Sequence, residues 1–121
     1  MQGIGVDSVD IPRFKAVLER RPGLAEKLFT VAERDYAGQH VDPAPNLAVR
    51  FAAKEATMKA MGVGLGAFGF HDVEVLRAES GQPSLQLTGV AAELSERLGV
   101  ITWRLSLTHT FAVATAFVVA E

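Results

Sequence analysis

Apolar and polar positions alternate at the start of the chain. Ile4 and Val6 fall on one face of an extended segment over residues 2–7, and Gly3, Gly5 and Asp7 on the other, the two-residue period of a strand. That second face carries no side chain until Asp7. The period then changes: Asp10 ahead of Pro12 is a helix-start signal, and Ile11, Phe14 and Leu18 recur at helical spacing until Arg21, Pro22 and Gly23 end the run. Thr30 with Glu33 three residues on makes a capping box for a short helix to about Tyr36, and Asp42–Pro45 reads as a connector. From about Asn46 to Met61 there is neither Gly nor Pro and alanine is abundant, with Gly62 placed where a helix would end. Residues 70–76 and 85–87 read as strands around the turn-rich stretch Glu79–Pro83, and a helix is predicted over about 89–98. Ile101, Trp103, Leu105 and Leu107 alternate with Thr102, Arg104, Ser106 and Thr108, giving a strand with one apolar face whose polar row leads to His109. Phe111–Ala120, the most apolar stretch, is about half as long as a bilayer span and reads as a buried strand. The expected fold is α+β: one compact domain over residues 1–121, an antiparallel or mixed sheet packed by helices.

Composition narrows the class. At 121 residues and 49% hydrophobic, the chain is long enough for one core and too short for two. Twelve basic residues against fourteen acidic ones leave a net charge of -2, which gives no electrostatic case for a nucleic-acid or membrane-surface binder. Cysteine is absent, so disulfides, thiolate nucleophiles and sulfur-ligated metals drop out, and any metal would be held by oxygen or imidazole. No basic start followed by a long apolar run marks a signal peptide or a membrane span, so a soluble, cytoplasmic protein is expected.

Two carboxylates stand out. Glu55 has Ala48, Phe51, Ala52 and Met58 as its helical neighbours, so it lies amid an apolar face. It either pairs on the surface with Lys59, four residues on, or sits partly buried and needs a cationic partner. Asp7 follows two glycines on its face of the strand, a gap that admits a ligand or another backbone; alternatively it caps the first helix, as Ser8 and Asp10 equally can. Two carboxylates without His or Cys nearby suit magnesium, which keeps several waters and also binds substrate phosphate. The glycines of Gly62–Gly66 follow a helix instead of preceding one, so they form neither a P-loop nor a dinucleotide fingerprint. His109 is a single histidine at a strand end, and His40 and His71 have no ligand-like spacing with it and look incidental. Arg13 and Arg20, seven residues apart, share a side of the first helix with Arg21 just beyond; such a stripe is either a solvated face or a dock for an acidic partner.

Gly3-Ile4-Gly5-Val6-Asp7 with Arg13, then Arg50-Phe51-Ala52-Ala53-Lys54-Glu55-Ala56 with Lys59-Ala60, and Ser106-Leu107-Thr108-His109 before an Ala-rich strand together resemble the holo-acyl-carrier-protein synthase family. The glycines of 62–66 and Gly81-Gln82-Pro83 fall where that family has its glycine loop and hairpin turn. The resemblance spans almost the whole chain. It implies a phosphopantetheinyl-transferase-like fold and a transfer of phosphopantetheine from coenzyme A to a serine of an acyl carrier protein, releasing adenosine bisphosphate. By it, Asp7 and Glu55 hold magnesium, Lys59 contacts phosphate, and Arg50, His109 and the loop glycines Gly62, Gly64 and Gly66 lie at the coenzyme. Glu55 is the expected proton acceptor, and Glu55 and Lys59 the catalytic pair. The family also implies a homotrimer with sites between subunits and a basic first helix, Arg13, Arg20 and Arg21, that takes the acidic helix of the carrier. Thr110 stands where some relatives carry an acidic residue, and residues 39–45 match no motif. Two other readings are a relative acting on a carrier domain of a large synthase, and a non-catalytic trimeric module retaining the nucleotide site.

Overall fold

The computed structural model describes residues 1–121. The opening alternation forms strand β1, Gly3–Asp10, which runs past Asp7 because Ser8, Val9 and Asp10 keep pairing with the last strand. Asp10 caps helix α1, Ile11–Arg20, its side chain accepting the Arg13 N–H at 2.9 Å. The capping alternative for Asp7 is thereby set aside. A five-residue helix α2, Leu24–Leu28, follows; it is too short to show a period and was not predicted. The Thr30/Glu33 capping box is formed as expected and opens α3, Val31–Gly38. Helix α4, Ala44–Ala60, starts earlier than predicted, since Pro45 falls in its first turn, where a missing N–H costs nothing, and half of the expected connector becomes helix. Phe70–Asp72 is a 3-10 turn and not strand, so β2 covers only Val73–Arg77 and pairs with β3, Pro83–Leu87. Helix α5, Gly89–Arg97, leads to β4, Trp103–His109, and β5, Val113–Ala120.

The strands make two antiparallel sheets, one of order β1-β5-β4 and one of order β2-β3, so the mixed alternative falls away. Helix α4 lies across the inner face of the larger sheet. It meets that face with Ala52, Ala53, Ala56 and Ala60, against Ala116, Val118 and Ala120 of β5. Small side chains on both surfaces let the backbones close in. A Cβ at Gly3 would stand 1.8 Å from the Ala60 carbonyl oxygen, and one at Gly5 1.9 Å from that of Ala56. The bare face of β1 thus receives the helix backbone, not a ligand. Beyond the sheet end, Phe51 stacks on Phe14 and Phe70 with centroids 5.2 and 5.7 Å apart, contacts worth roughly 0.5–1.5 kcal/mol each beyond their buried area.

The outer face of this sheet has no cover. Ile4, Val6, Val113 and Phe117 remain 52%, 50%, 39% and 42% exposed there, while the alternate residues of β5 are buried. The apolar run 111–120 is therefore buried on one side only, and Phe111 lies outside the strand, 96% exposed. No helix is long and apolar enough to cross a membrane.

Candidate active site

The close approach of β1 to α4 brings Asp7 against the side of the helix that carries Glu55 and Lys59. The expected Glu55–Lys59 surface pair is not what forms. Lys59 Nζ reaches across to β1, donating to the Val6 carbonyl and to Asp7 Oδ1, both at 3.0 Å. An ammonium has three N–H donors, so one remains for a ligand oxygen. Glu55 is left half-buried with no ion-pair partner of its own. Burial first, and then the neighbouring Asp7 charge, holds its carboxyl above the usual carboxylate range, with Lys59 pulling the other way. Lys59 therefore offsets only part of this negative charge. Two carboxylates with no imidazole or third acid in the group fit magnesium, which takes few protein oxygens and fills its shell with water and phosphate.

A second group of candidates lies elsewhere on α4. Arg50 is 2% exposed, its Nη1 donating to the Asn46 carbonyl at 3.2 Å and its Nε finding no partner. It lines a cavity of ≈ 450 Å³ together with Tyr36, His40, Arg77, Thr108 and His109. His40, unremarkable by spacing, lines the same cavity as His109; only the folding of α3 onto α4 brings them near. His71 does stay apart, its ring bonded to the Glu26 carbonyl at 2.7 Å. Tyr36 and Arg77 went unnoticed in the sequence, where neither carries a motif. Their positions depend on α3 and on the end of β2, and no local pattern connects those segments.

Between the two groups, α4 is anchored by Lys54, a residue with no exposed side-chain surface. Its Nζ donates to Glu33 Oε1 at 2.8 Å, to the Phe70 carbonyl at 2.9 Å and to the Val73 carbonyl. Glu33 in turn accepts the Thr30 and Val75 N–H groups, each at 2.9 Å. Burial lowers the Lys54 pKa, and Glu33 opposes that shift. One carboxylate therefore ties α3, α4 and β2 together and fixes the rotation of α4, on which the aim of Glu55 depends.

The two groups do not meet within one chain. Arg50 and Lys59 are nine residues apart, about two and a half helical turns, and leave α4 on opposite sides. The loop glycines lie beyond the helix end: Gly62, with φ 72°, donates its N–H to the Lys59 carbonyl, and nothing stands within 4 Å of a Cβ built on Gly62, Gly64 or Gly66. Arg13, Arg20 and Arg21 are all exposed along α1 and free of ion pairs, whereas Lys15 bridges Asp42 at 3.5 Å.

Residues 3–116 match the 4'-phosphopantetheinyl transferase superfamily. Among curated proteins, a holo-[acyl-carrier-protein] synthase of Frankia alni is 50% identical over 119 residues, covering 98% of this chain and 96% of the relative. Among solved structures, the holo-[acyl-carrier-protein] synthase of Neisseria meningitidis superposes with a TM-score of 0.91 at 32% identity, covering 100% of this chain and 98% of that one. The synthase of Bacillus anthracis, solved in complex with CoA (3',5'-ADP), gives a TM-score of 0.82 at 33% identity, covering 98% of this chain and 95% of that one.

Proposed function

The chain belongs to the 4'-phosphopantetheinyl transferase superfamily, among its holo-[acyl-carrier-protein] synthases, and from that premise we propose that Asp7, Glu55 and Lys59 form its reaction centre. The reaction moves phosphopantetheine from coenzyme A to a serine hydroxyl of an apo acyl carrier protein and releases adenosine 3',5'-bisphosphate. The observation that carries the reading is the junction of β1 and α4, where two carboxylates lie near one ammonium that pairs with Asp7 and leaves Glu55 without a partner.

Asp7 and Glu55 would hold magnesium, which when bound supplies charge that neutralises the pyrophosphate of coenzyme A. The chain's own residues do the rest. The free donor of Lys59 binds a phosphate oxygen and stabilises the charge that builds on it as the serine oxygen attacks in line. Glu55, directly or through one water, takes the serine proton, a task for which a carboxylate of raised basicity is suited. Arg50, His109 and the loop glycines at 62, 64 and 66 take the nucleotide end, and Arg13, Arg20 and Arg21 take the acidic face of the carrier.

The reading extends to a cytoplasmic homotrimer. Support for the assembly is twofold: the uncovered apolar face of the larger sheet, and the placement of Arg50 and Lys59 on opposite sides of α4. A site needing both groups then draws Asp7, Glu55 and Lys59 from one subunit and Arg50 and His109 from its neighbour. The test is to mix the protein with coenzyme A, magnesium and an apo carrier and to weigh the carrier. Addition of one phosphopantetheine mass, lost when coenzyme A or the metal is withheld, is expected; an unmodified carrier would overturn the assignment.

A further inference from the structure

The face that α4 turns to the larger sheet is smooth. Ala52, Ala53, Ala56 and Ala60 meet Ala116, Val118 and Ala120, and the carbonyls of Ala56 and Ala60 lie against Gly5 and Gly3. Small side chains fix how near two elements come, but they offer few ridges to oppose a turn of the helix about its own axis. A group about 6 Å from that axis moves about 1 Å when the helix turns by about 10°. A misplacement of about 1 Å can cost about a hundredfold in rate. Packing against the sheet therefore sets the depth of Glu55 and not its aim.

A polar group on the side of α4 facing α3 and β2 opposes the turn. Lys54 precedes Glu55 in the chain, about 100° round the helix, and directs all three ammonium donors to fixed acceptors: Glu33, the Phe70 carbonyl and the Val73 carbonyl. Glu33, equally buried, is held in turn by the Thr30 and Val75 N–H groups. The Thr30 hydroxyl accepts the Glu33 N–H and donates to Glu74 at 2.5 Å, and Glu74 adds a second negative charge near Lys54. Arg50 and Lys54 thus stand against Glu33 and Glu74, a set balanced in charge without a ligand. An ion pair buried this deeply stabilises little more than apolar groups of equal volume, because desolvation offsets its attraction. What apolar groups would not supply is direction, which hydrogen bonds impose on the helix that carries them.

We infer that Lys54 and Glu33 are positioning residues for the transfer: the pair fixes the rotation of α4 and so holds the Glu55 carboxyl toward Asp7, acting on kcat through Glu55 without touching either substrate. This rests on the reading that Glu55 is a reacting group.

The experiment measures kcat and KM for the wild type, Lys54→Met/Glu33→Gln, Glu55→Gln and the triple variant, with thermal unfolding of each. Single changes at Lys54 or Glu33 leave a buried charge unmatched, so the paired change, which removes both charges at similar volume, is the one expected to fold. It should lower kcat on the order of a hundredfold with the carrier KM kept within about threefold. Once Glu55 is replaced there is no aim to lose, so in the Glu55→Gln background the same change should cost no more than about threefold. A role confined to stability predicts equal factors in both backgrounds, and that result, or a paired variant as active as the wild type, would overturn the inference. Glu33→Asp keeps both charges and draws the carboxylate back by one methylene, and so serves if the paired variant does not fold. It should lower kcat roughly tenfold, again only while Glu55 is present, and equal factors there would overturn the inference too. Wild-type rates in Glu55→Gln itself would instead defeat the reaction-centre reading, whereas an impaired Glu55→Gln with equal factors defeats the positioning role alone.

Discussion

Glu55 is held in a state that the free protein does not favour. Its carboxyl is partly desolvated and faces Asp7, while the nearest ammonium is bonded to Asp7 instead. In the metal-free protein Glu55→Gln should therefore raise the thermal midpoint near neutral pH, because it removes a charge the fold disfavours. The sign follows from linkage: a carboxyl raised on folding makes the folded state bind the proton more tightly, so the wild type catches up as pH falls through the carboxylate range. A gain that persists at low pH would mean the effect is packing. In transfer, Glu55→Ala or Asp7→Ala should lose at least about a hundredfold in rate with the circular dichroism spectrum unchanged, since each removes a group at the reacting phosphates. Near-normal rates in both would remove the junction from the mechanism. Both acids were legible in the sequence, one as a carboxylate among apolar helix positions and one ending a face of glycines. Lys54 was not: its three acceptors come from segments around positions 33, 70 and 73, and no period links them.

At the scale of elements, β1 and α4 act as one unit because nothing separates their backbones. Gly5→Ala places a Cβ 1.9 Å from a carbonyl oxygen that is fixed in the helix, so the strand must move away. A loss of at least about 3 kcal/mol is expected in denaturant unfolding, together with lost transfer, since Asp7 moves with the strand. Gly38→Ala is the matched control. A Cβ there meets nothing within 4 Å, so it should be neutral or stabilise by up to about 1 kcal/mol. Similar effects of the two substitutions would show that the close approach is not what sets stability. The alternation in β1 and the alanine-rich run of α4 announced both elements, but not that they touch. A strand face without side chains is compatible with a ligand or a helix, and only the small residues of the facing helix decide between them. Helix α2 escaped for the opposite reason: five residues give too little chain for a pattern.

The whole molecule shows one sheet face that the chain cannot cover. Ile4, Val6 and Phe117 stand in register across β1 and β5, with Val6 directly opposite Phe117. Phe117→Asp should shift sedimentation toward the monomer and depress transfer most at low protein concentration, as mass action requires for a site built by association. A variant that stays assembled and active would move the contact elsewhere. Charge reversal at Arg13 and Arg20 should weaken carrier affinity far more than coenzyme A affinity, with added salt producing the same selective loss. The length of the apolar run 111–120 pointed to burial; it did not reveal that the chain buries only one side of the strand. The opposite-sided placement of Arg50 and Lys59 on α4 also fixes a statistic. If Glu55→Ala chains and His109→Ala chains are mixed equally and refolded, every ring of three holding both kinds has one neighbour pair in which an intact Glu55 meets an intact His109, whatever the ratio within the ring. About three quarters of randomly assembled rings are mixed, and each has one working site of three, so the mixture should recover about a quarter of wild-type activity from two inactive parents, and no more.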